Sequence, residues 1–208
     1  MASTIILIGG ISCSGKTTLA RRLATELDAP YLSIDDYYRP FDNLPLDVRK
    51  RVDFDAPDAI EHELLTEQLS QLTRGETILK PVYDAAAFER LPTPEPIYAN
   101  PFVVVEGLFA LLWRDLIGLT SHRVFVETDP EICLARRLQR DVEVYGRSME
   151  FALSRYREQV EPSQSRFVLP TKSNATLVVS GTCGDRGLRS CLDWIQSPTA
   201  PAASAMSL

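Results

Sequence analysis

The chain has 208 residues, a length that suits one domain with a small insertion or lid. Its residues are 45% hydrophobic and 24% charged, which supplies enough apolar side chain for a packed core and argues against global disorder. The formal net charge of −6 argues against nucleic acid or an anionic membrane as the main partner, because proteins that bind these polyanions are usually basic.

The sequence carries no signal that predicts export or membrane insertion. No apolar run approaches the ~20 residues that span a bilayer. The N-terminal run Ile5–Ile8 lacks a basic flank and is too short for a signal peptide. The cysteines are scattered without metal-ligand spacing, so reduced thiols are expected. We therefore expect a cytoplasmic location.

Short apolar runs alternate with amphipathic helical patterns, which predicts an α/β domain with a mostly parallel five-stranded sheet buried on both faces. The predicted strands are Thr4–Ile8, Tyr31–Ile34, Phe102–Val105, Val124–Val126 and Thr176–Val179. The predicted helices run from Lys16 to Leu27, from Asp58 to Leu72, from Asp129 to about Val144 and from Ser148 to about Val160.

Two segments depart from this alternation. Two β-like runs, Ile78–Tyr83 and Pro96–Tyr98, flank a polar stretch and predict a β-hairpin excursion over about 78–100. The helical segment over about 136–160 is predicted to form a lid. We interpret residues 1–196 as one domain and the Ala/Ser/Pro-rich residues 197–208 as a flexible tail.

The segment GGISCSGKTT follows the first predicted strand and opens the first predicted helix. Its spacing, Gly10-x4-Gly15-Lys16-Thr17, fits a phosphate-binding P-loop, in which backbone N–H groups and a helix N-terminus hold phosphates. An ordinary glycine-rich turn is the alternative, but the strand–loop–helix context favours a P-loop NTPase-type three-layer domain. The predicted nucleotide-binding residues are Gly10, Ile11, Ser12, Cys13, Ser14, Gly15, Lys16, Thr17 and Thr18.

Charged residues follow at three further places. SIDDYY lies at the carboxyl end of the second predicted strand, where α/β sheets bind ligands. Glu106 ends a buried strand, as a metal-binding carboxylate does in many NTPases. Arg137 and Arg140 share a helix face and could stabilise a transferring phosphoryl group. The alternatives are a surface turn, a helix-capping glutamate and a solvated basic face.

The chain resembles uridine/cytidine kinases, in the uridine kinase–phosphoribulokinase branch of P-loop kinases. The resemblance runs from the P-loop to about Val179 and is carried in order by GGISCSGKTT, SIDDYY, DFDAPDAI, KPVYD, VVVEGLFAL, VFVETD, ARRLQRDV with GR, and FVLPTKSNATLVV. It implies ATP-dependent phosphorylation of a nucleoside 5′-hydroxyl with Mg²⁺. It also implies a small-molecule nucleoside as the partner and a homo-oligomer, either a dimer or a tetramer.

The resemblance assigns roles residue by residue. Asp35 corresponds to the catalytic base, and the other catalytic positions are Lys16, Arg137 and Arg140. The implied substrate-binding residues are Asp35, Tyr38, Asp55, Tyr83, Phe88, Arg137, Arg147 and Arg155. The implied metal-side residues are Thr17, Glu106 and Asp35.

The base pocket departs from the family pattern. Ala85 and Phe88 stand where the family usually has an aromatic residue and a histidine that hydrogen-bonds the pyrimidine. Tyr145 stands in place of a common lid arginine, and Arg155 in place of a glutamine. Other acceptors therefore stay open: nicotinamide riboside, ribulose phosphate, pantothenate or glycerate. A non-catalytic ATP-binding regulatory protein is the alternative from another class.

Overall fold

The computed structural model of the protein describes residues 2–41, 43–49, 52–85 and 87–197. All of the predicted tail except Ser197 lies outside these residues. The described strands are β1 (Thr4–Gly9), β2 (Tyr31–Ser33), β3 (Ile78–Lys80), β4 (Tyr83–Asp84), β5 (Glu89–Arg90), β6 (Glu95–Ile97), β7 (Phe102–Glu106), β8 (His122–Glu127) and β9 (Leu177–Ser180). The described α-helices are α1 (Lys16–Glu26), α2 (Leu46–Arg49), α3 (His62–Thr73), α4 (Arg114–Ile117), α5 (Pro130–Glu143), α6 (Met149–Arg155), α7 (Glu161–Ser163) and α8 (Asp185–Gln196).

The main sheet contains the five predicted strands in the order β2-β7-β1-β8-β9. All four neighbouring pairs are parallel, which confirms the predicted sheet. Because parallel strands end at the same edge, the residues that follow β1, β2 and β7 meet along one side of the domain. This edge is where open α/β sheets bind their ligands.

The sheet is covered on both faces, as its nearly continuous apolar strands require. Successive residues of β1 point to opposite sides, so that Ile5 and Leu7 join one core cluster and Ile6 and Ile8 join the other. Helix α3 packs its leucines into the first cluster, and α1 and α8 pack into the second. The result is the predicted three-layer arrangement.

The second strand and the third helix differ from their predicted bounds. Strand β2 ends at Ser33, whose hydroxyl accepts a hydrogen bond from the Asp35 amide and starts a 3-10 turn, Ile34–Tyr37. Helix α3 starts at His62 rather than Asp58, because Ile60 is extended and forms a β-bridge with Tyr38. This bridge holds the chain before α3 against the turn that carries Asp35.

The predicted hairpin is present as two short antiparallel ladders. Strand β3 pairs with β6, and β4 pairs with β5 nearer the tip. Pro81 and Val82 lie between β3 and β4, outside either ladder, so the predicted run Ile78–Tyr83 is split in two. A proline has no backbone N–H to donate to a ladder, which accounts for the break.

The predicted helix from Ser148 to about Val160 is longer than expected. Ser148 caps α6, as predicted, but helical structure continues through Asn174 as a series of π, α and 3-10 turns.

None of the helices in the described part of the chain combines the length and the apolar character that a membrane span needs.

Candidate active site

The loop between β1 and α1 has a backbone that requires glycine at both ends of the motif. Gly10 and Gly15 have φ angles of 150° and 99°. A Cβ on Gly10 would lie 2.6 Å from the backbone oxygen of Val126, and one on Gly15 would lie 3.0 Å from that of Gly181. Because both neighbours are backbone atoms, neither could move aside cheaply, so side chains are excluded at both positions.

A cavity of about 490 Å³ opens over this loop and the start of α1. Of the predicted nucleotide-binding residues, its lining includes Cys13, Gly15, Lys16, Thr17 and Thr18. The others are placed differently. Ser12 lines a second cavity, Gly10 and Ser14 are buried residues of the loop, and the Ile11 side chain packs in the hydrophobic core.

Glu106 is the last residue of β7, beside the loop. Its Oε1 accepts hydrogen bonds from the Thr17 hydroxyl at 3.2 Å and from the Tyr31 hydroxyl at 2.8 Å. Burial and the neighbouring Glu106 carboxylate raise the pKa of Tyr31, so its hydroxyl stays protonated as a donor. Tyr31 therefore holds the carboxylate in one orientation.

A single carboxylate and a hydroxyl suit an ion that also binds phosphate oxygens. Across the described residues, no three His, Cys, Asp or Glu side chains are close enough to form a metal site by themselves. Mg²⁺ usually binds through one or two protein ligands, several waters and substrate phosphates. Thr17 and Glu106 fit that pattern.

Asp35 lies at the first turn after β2 and lines a second cavity of about 750 Å³. Its side chain is open to this cavity and is not buried in the core. We therefore attribute its raised pKa to the reduced hydration between the walls of the cleft. Reduced hydration and then the charge of Glu106 raise the pKa to about 6, while Lys16 opposes them. The carboxylate is therefore a stronger base than an ordinary aspartate and is still ionised at pH 7.

Aromatic rings form one wall of the same cavity. Tyr38 lies with its ring centroid 4.9 Å from Phe54 and 5.2 Å from Tyr83, and Phe54 lies 5.8 Å from Phe88. The Tyr38 hydroxyl donates to the Phe54 carbonyl oxygen, which fixes the two rings relative to each other. Such a wall suits a flat ring.

Asp55 is buried beside the aromatic wall. The Ser163 hydroxyl donates a hydrogen bond to its backbone oxygen, and an Arg137 nitrogen lies 3.9 Å from its carboxylate. Burial raises the pKa of Asp55, although Arg137 lowers it in part. The carboxylate thus lies in the cavity wall as an acceptor for hydroxyl groups.

The arginines of the predicted lid gather around one carboxylate, Asp141. This side chain is almost fully buried, and Arg147 lies 3.3 Å from it. Arg137 and Arg140 each lie 3.9 Å away, too far for a hydrogen bond. Asp141 therefore keeps the three guanidinium groups close together, while some of their N–H groups stay available to a ligand.

A buried ion pair joins the hairpin to the turn that carries Asp35. The Lys80 ammonium lies 2.6 Å from the Asp36 carboxylate and 3.3 Å from that of Glu95. The other oxygen of Asp36 accepts a hydrogen bond from the Tyr83 amide at 3.4 Å. Of the two adjacent aspartates, Asp36 thus connects structural elements, while Asp35 faces the cavity.

The two cavities meet at three residues, since Lys16, Thr17 and Arg140 line both. One cavity lies over the phosphate-binding loop, and the other contains Asp35, Asp55 and the aromatic wall. A phosphate donor in the first and a hydroxyl acceptor in the second would meet at a lysine and an arginine. This is the arrangement that phosphoryl transfer needs.

The phosphoribulokinase / uridine kinase family matches residues 5–183. The chain belongs to this family. The uridine kinase of Chloroflexus aggregans is 36% identical over 181 residues, with 85% of this chain and 86% of that protein covered. The uridine kinase of Lactobacillus johnsonii is 38% identical over 181 residues, with 84% and 85% covered.

The protein has the same fold as P-loop kinases whose structures have been solved. Phosphoribulokinase from Rhodobacter spheroides superposes with a TM-score of 0.61 at 12% identity, over 86% of this chain and 70% of that one. Membership of the family makes the protein a phosphotransferase, with ATP implied as the phosphate donor. The non-catalytic alternative is thereby set aside.

The structure brings the predicted substrate-side residues of this kinase into one cleft. The second cavity is lined by Asp35, Tyr38, Asp55, Tyr83, Phe88, Arg137, Arg147 and Arg155. Sequence reasoning missed Asp141, Tyr31, Phe54 and the Asp36–Lys80 pair. Only Asp141 had a signal, because it lies four residues after Arg137 on one helix face.

Proposed function

We propose that the protein transfers the γ-phosphoryl group of ATP to the 5′-hydroxyl of a pyrimidine nucleoside, uridine or cytidine. The observation that carries this proposal is the meeting of the two cavities at Lys16, Thr17 and Arg140, with Asp35 on the acceptor side. The relatives named uridine kinase support the choice of acceptor.

On the donor side, the loop Gly10–Thr18 would bind the ATP phosphates through its backbone amides, with the Lys16 ammonium beside the transferred group. Thr17 and Glu106 would hold Mg²⁺, and the Asp35 carboxylate would be the third protein group beside the ion. When bound, the ion would neutralise charge on the phosphate oxygens. Arg137 and Arg140 would stabilise the charge that spreads over the transferred group.

On the acceptor side, Asp35 would take the proton of the attacking hydroxyl, for which a pKa of about 6 is well matched at neutral pH. Asp55 would accept hydrogen bonds from ribose hydroxyls. Tyr38 and Tyr83 would pack against the base, together with Phe88, and Arg147 and Arg155 would approach from the lid.

A panel of acceptors tests this function. Initial rates of ADP release are measured with uridine, cytidine, purine nucleosides, nicotinamide riboside, ribulose phosphate, pantothenate and glycerate. We expect stimulation by uridine or cytidine well above every other acceptor. If neither pyrimidine nucleoside stimulates ADP release, the proposed acceptor is wrong.

Tyr31→Phe tests the metal-side role of Glu106. The change removes only the hydroxyl that donates to Glu106 at 2.8 Å, and outer-shell partners of this kind are worth about 10- to 100-fold in metal affinity. We expect the half-saturating Mg²⁺ concentration to rise about 10-fold, both in turnover and in Mg²⁺-dependent binding of a non-hydrolysable ATP analogue. Tyr98→Phe, at an exposed hairpin position, is the control and should change neither. An unchanged Mg²⁺ requirement in Tyr31→Phe would contradict the role of Tyr31.

The acceptor pocket itself favours a second candidate, a kinase for another hydroxyl metabolite. Phe88 offers no hydrogen-bonding group to a base edge, while Arg155 adds a cation to the same cavity. A site discriminates strongly by hydrogen bonding only where the bonding group is present. The same panel separates this candidate from the first.

A further inference from the structure

Among the described residues, Arg155 is the one arginine of the acceptor cavity that has no carboxylate within ion-pair distance. The cavity is lined by Lys16, Arg137, Arg140, Arg147 and Arg155 on the cationic side. Each of the three other arginines has Asp141 within 4 Å. Arg155 forms no hydrogen bond or ion pair with any residue in the described part of the chain, although it lines the same space.

The surroundings of Arg155 make this lack of a partner costly. Its side chain is half-buried, and burial and then the charge of Arg147 lower its pKa, while the more distant carboxylates of Asp55 and Asp141 oppose this only in part. A guanidinium that has lost part of its hydration is stabilised by an anion that enters the same space. Arginine binds carboxylates and phosphates with two parallel hydrogen bonds, and of these two anions the carboxylate is the one that a flat ring commonly carries.

The aromatic wall of the same cavity constrains the rest of the ligand. Tyr38, Phe54, Tyr83 and Phe88 present aromatic surface, which fits a flat ring and not an extended sugar phosphate. Phe88 has a φ of 55°, and its carbonyl oxygen accepts a hydrogen bond from Arg49 at 3.2 Å. The backbone at Phe88 is thus held in an uncommon conformation by a specific contact, which sets the point from which its ring enters the wall.

Phe88 and Arg155 together limit the hydrogen bonds that the cavity can form with the edge of a ligand ring. The phenyl group can neither donate nor accept a hydrogen bond, and the guanidinium can only donate. The polar recognition that this pair provides is therefore restricted to acceptors and anions on the ligand. At about 750 Å³, the cavity is large enough for a nucleoside with a ring substituent.

We propose that the preferred acceptor is a riboside whose flat ring carries a carboxylate, and that Arg155 is the residue that binds this carboxylate. The proposal rests on the proposed function, since it takes the cavity with Asp35 and Asp55 as the acceptor site. It narrows the acceptor from nucleosides in general to those whose ring carries a carboxylate.

Matched pairs of acceptors test the proposal. One set contains uridine, its 5-carboxylate and its 6-carboxylate, and the other contains a pyridine riboside as the carboxamide and as the carboxylate. Within each set the sugar and the attacked hydroxyl are the same, so only the ring charge differs. We expect one carboxylate to have a kcat/KM at least about 10-fold above that of its counterpart without the carboxylate, in line with a hydrogen-bonded charge.

Arg155→Gln should remove this preference. We expect kcat/KM for the carboxylate to fall about 10- to 100-fold, mainly through KM, so that the ratio of its kcat/KM to that of the counterpart without the carboxylate falls to near one. Arg157→Gln is the matched control, because Arg157 is exposed two residues further along and does not line the cavity. Melting temperatures with each acceptor and without it check that the variants fold and report binding independently of turnover.

The outcomes separate this proposal from the proposed function. Turnover of uridine or cytidine with no carboxylate preference, or with a preference that Arg155→Gln leaves unchanged, overturns the proposal and leaves the pyrimidine kinase standing. An Arg155-dependent preference for the pyridine carboxylate, with no pyrimidine nucleoside used, supports the proposal and overturns the pyrimidine acceptor. Turnover of a phosphorylated sugar alone overturns both.

Discussion

Asp35→Asn is expected to lower kcat by about 10²- to 10⁴-fold, the usual contribution of a positioned general base. The amide has nearly the same shape as the carboxylate but cannot take the proton of the attacking hydroxyl. The affinity for a non-hydrolysable ATP analogue, measured by calorimetry without Mg²⁺, should change little, because the phosphate-binding loop is untouched. A turnover near that of the wild type would remove Asp35 from the role of base.

The same variant is expected to be more stable than the wild type at high pH. The pKa of Asp35 is about 6 in the folded protein, against an ordinary value of 3.8. The folded state thus favours the protonated form, and this contribution is full below pH 3.8 and lost as the pH rises through about 6. Asparagine is neutral throughout, so its melting temperature without ligand should exceed that of the wild type at pH 8, by about 2 °C or more, and approach it at pH 4.5.

Asp58→Asn is the control for both measurements. Asp58 is exposed on the 3-10 turn before α3 and lines neither cavity. Its substitution should leave turnover and the pH dependence of melting unchanged. A stabilisation of equal size in both variants would mean that the effect comes from net charge and not from the cleft around Asp35.

Asp141→Asn is expected to destabilise the protein and to impair acceptor binding together. Asp141 is 1% exposed and is the carboxylate shared by Arg137, Arg140 and Arg147. Removing one partner of a buried ion cluster typically costs 3 kcal/mol or more, because the remaining charges are left unbalanced. We therefore expect a drop of about 6–12 °C in melting temperature, measured by calorimetry.

The kinetic effect of Asp141→Asn follows from the same repulsion. Without the carboxylate the three guanidinium groups move apart, and groups that must be placed to within an ångström lose most of their effect. We expect kcat/KM for the acceptor to fall by about 10-fold or more, measured well below the melting temperature. Glu143→Gln, exposed two residues later on α5, should affect neither quantity. A variant as stable and as active as the wild type would show that Asp141 does not organise the arginines.

The amino-acid sequence by itself determined most of the chain's local structure and the position of the P-loop. The apolar runs predicted all five strands of the main sheet, because strands buried on both faces must be apolar along their whole length. The P-loop could be read directly, because glycines at fixed spacing, a lysine and a helix start are all consecutive in the chain. The same holds for the caps at Ser148 and Asp129, whose side chains bond amides only a few residues away.

The tertiary structure decided how the distant side chains combine. Lys80 and Asp36 are 44 residues apart, Tyr31 and Glu106 are 75 apart, and no local pattern links either pair. The sharing of Asp141 by three arginines, and the absence of such a partner for Arg155 among the described residues, depend on how α5, α6 and the intervening turn fold together. Electrostatic interactions act through space and vary with burial, so only the packed structure determines which charges are balanced and which remain available to a ligand.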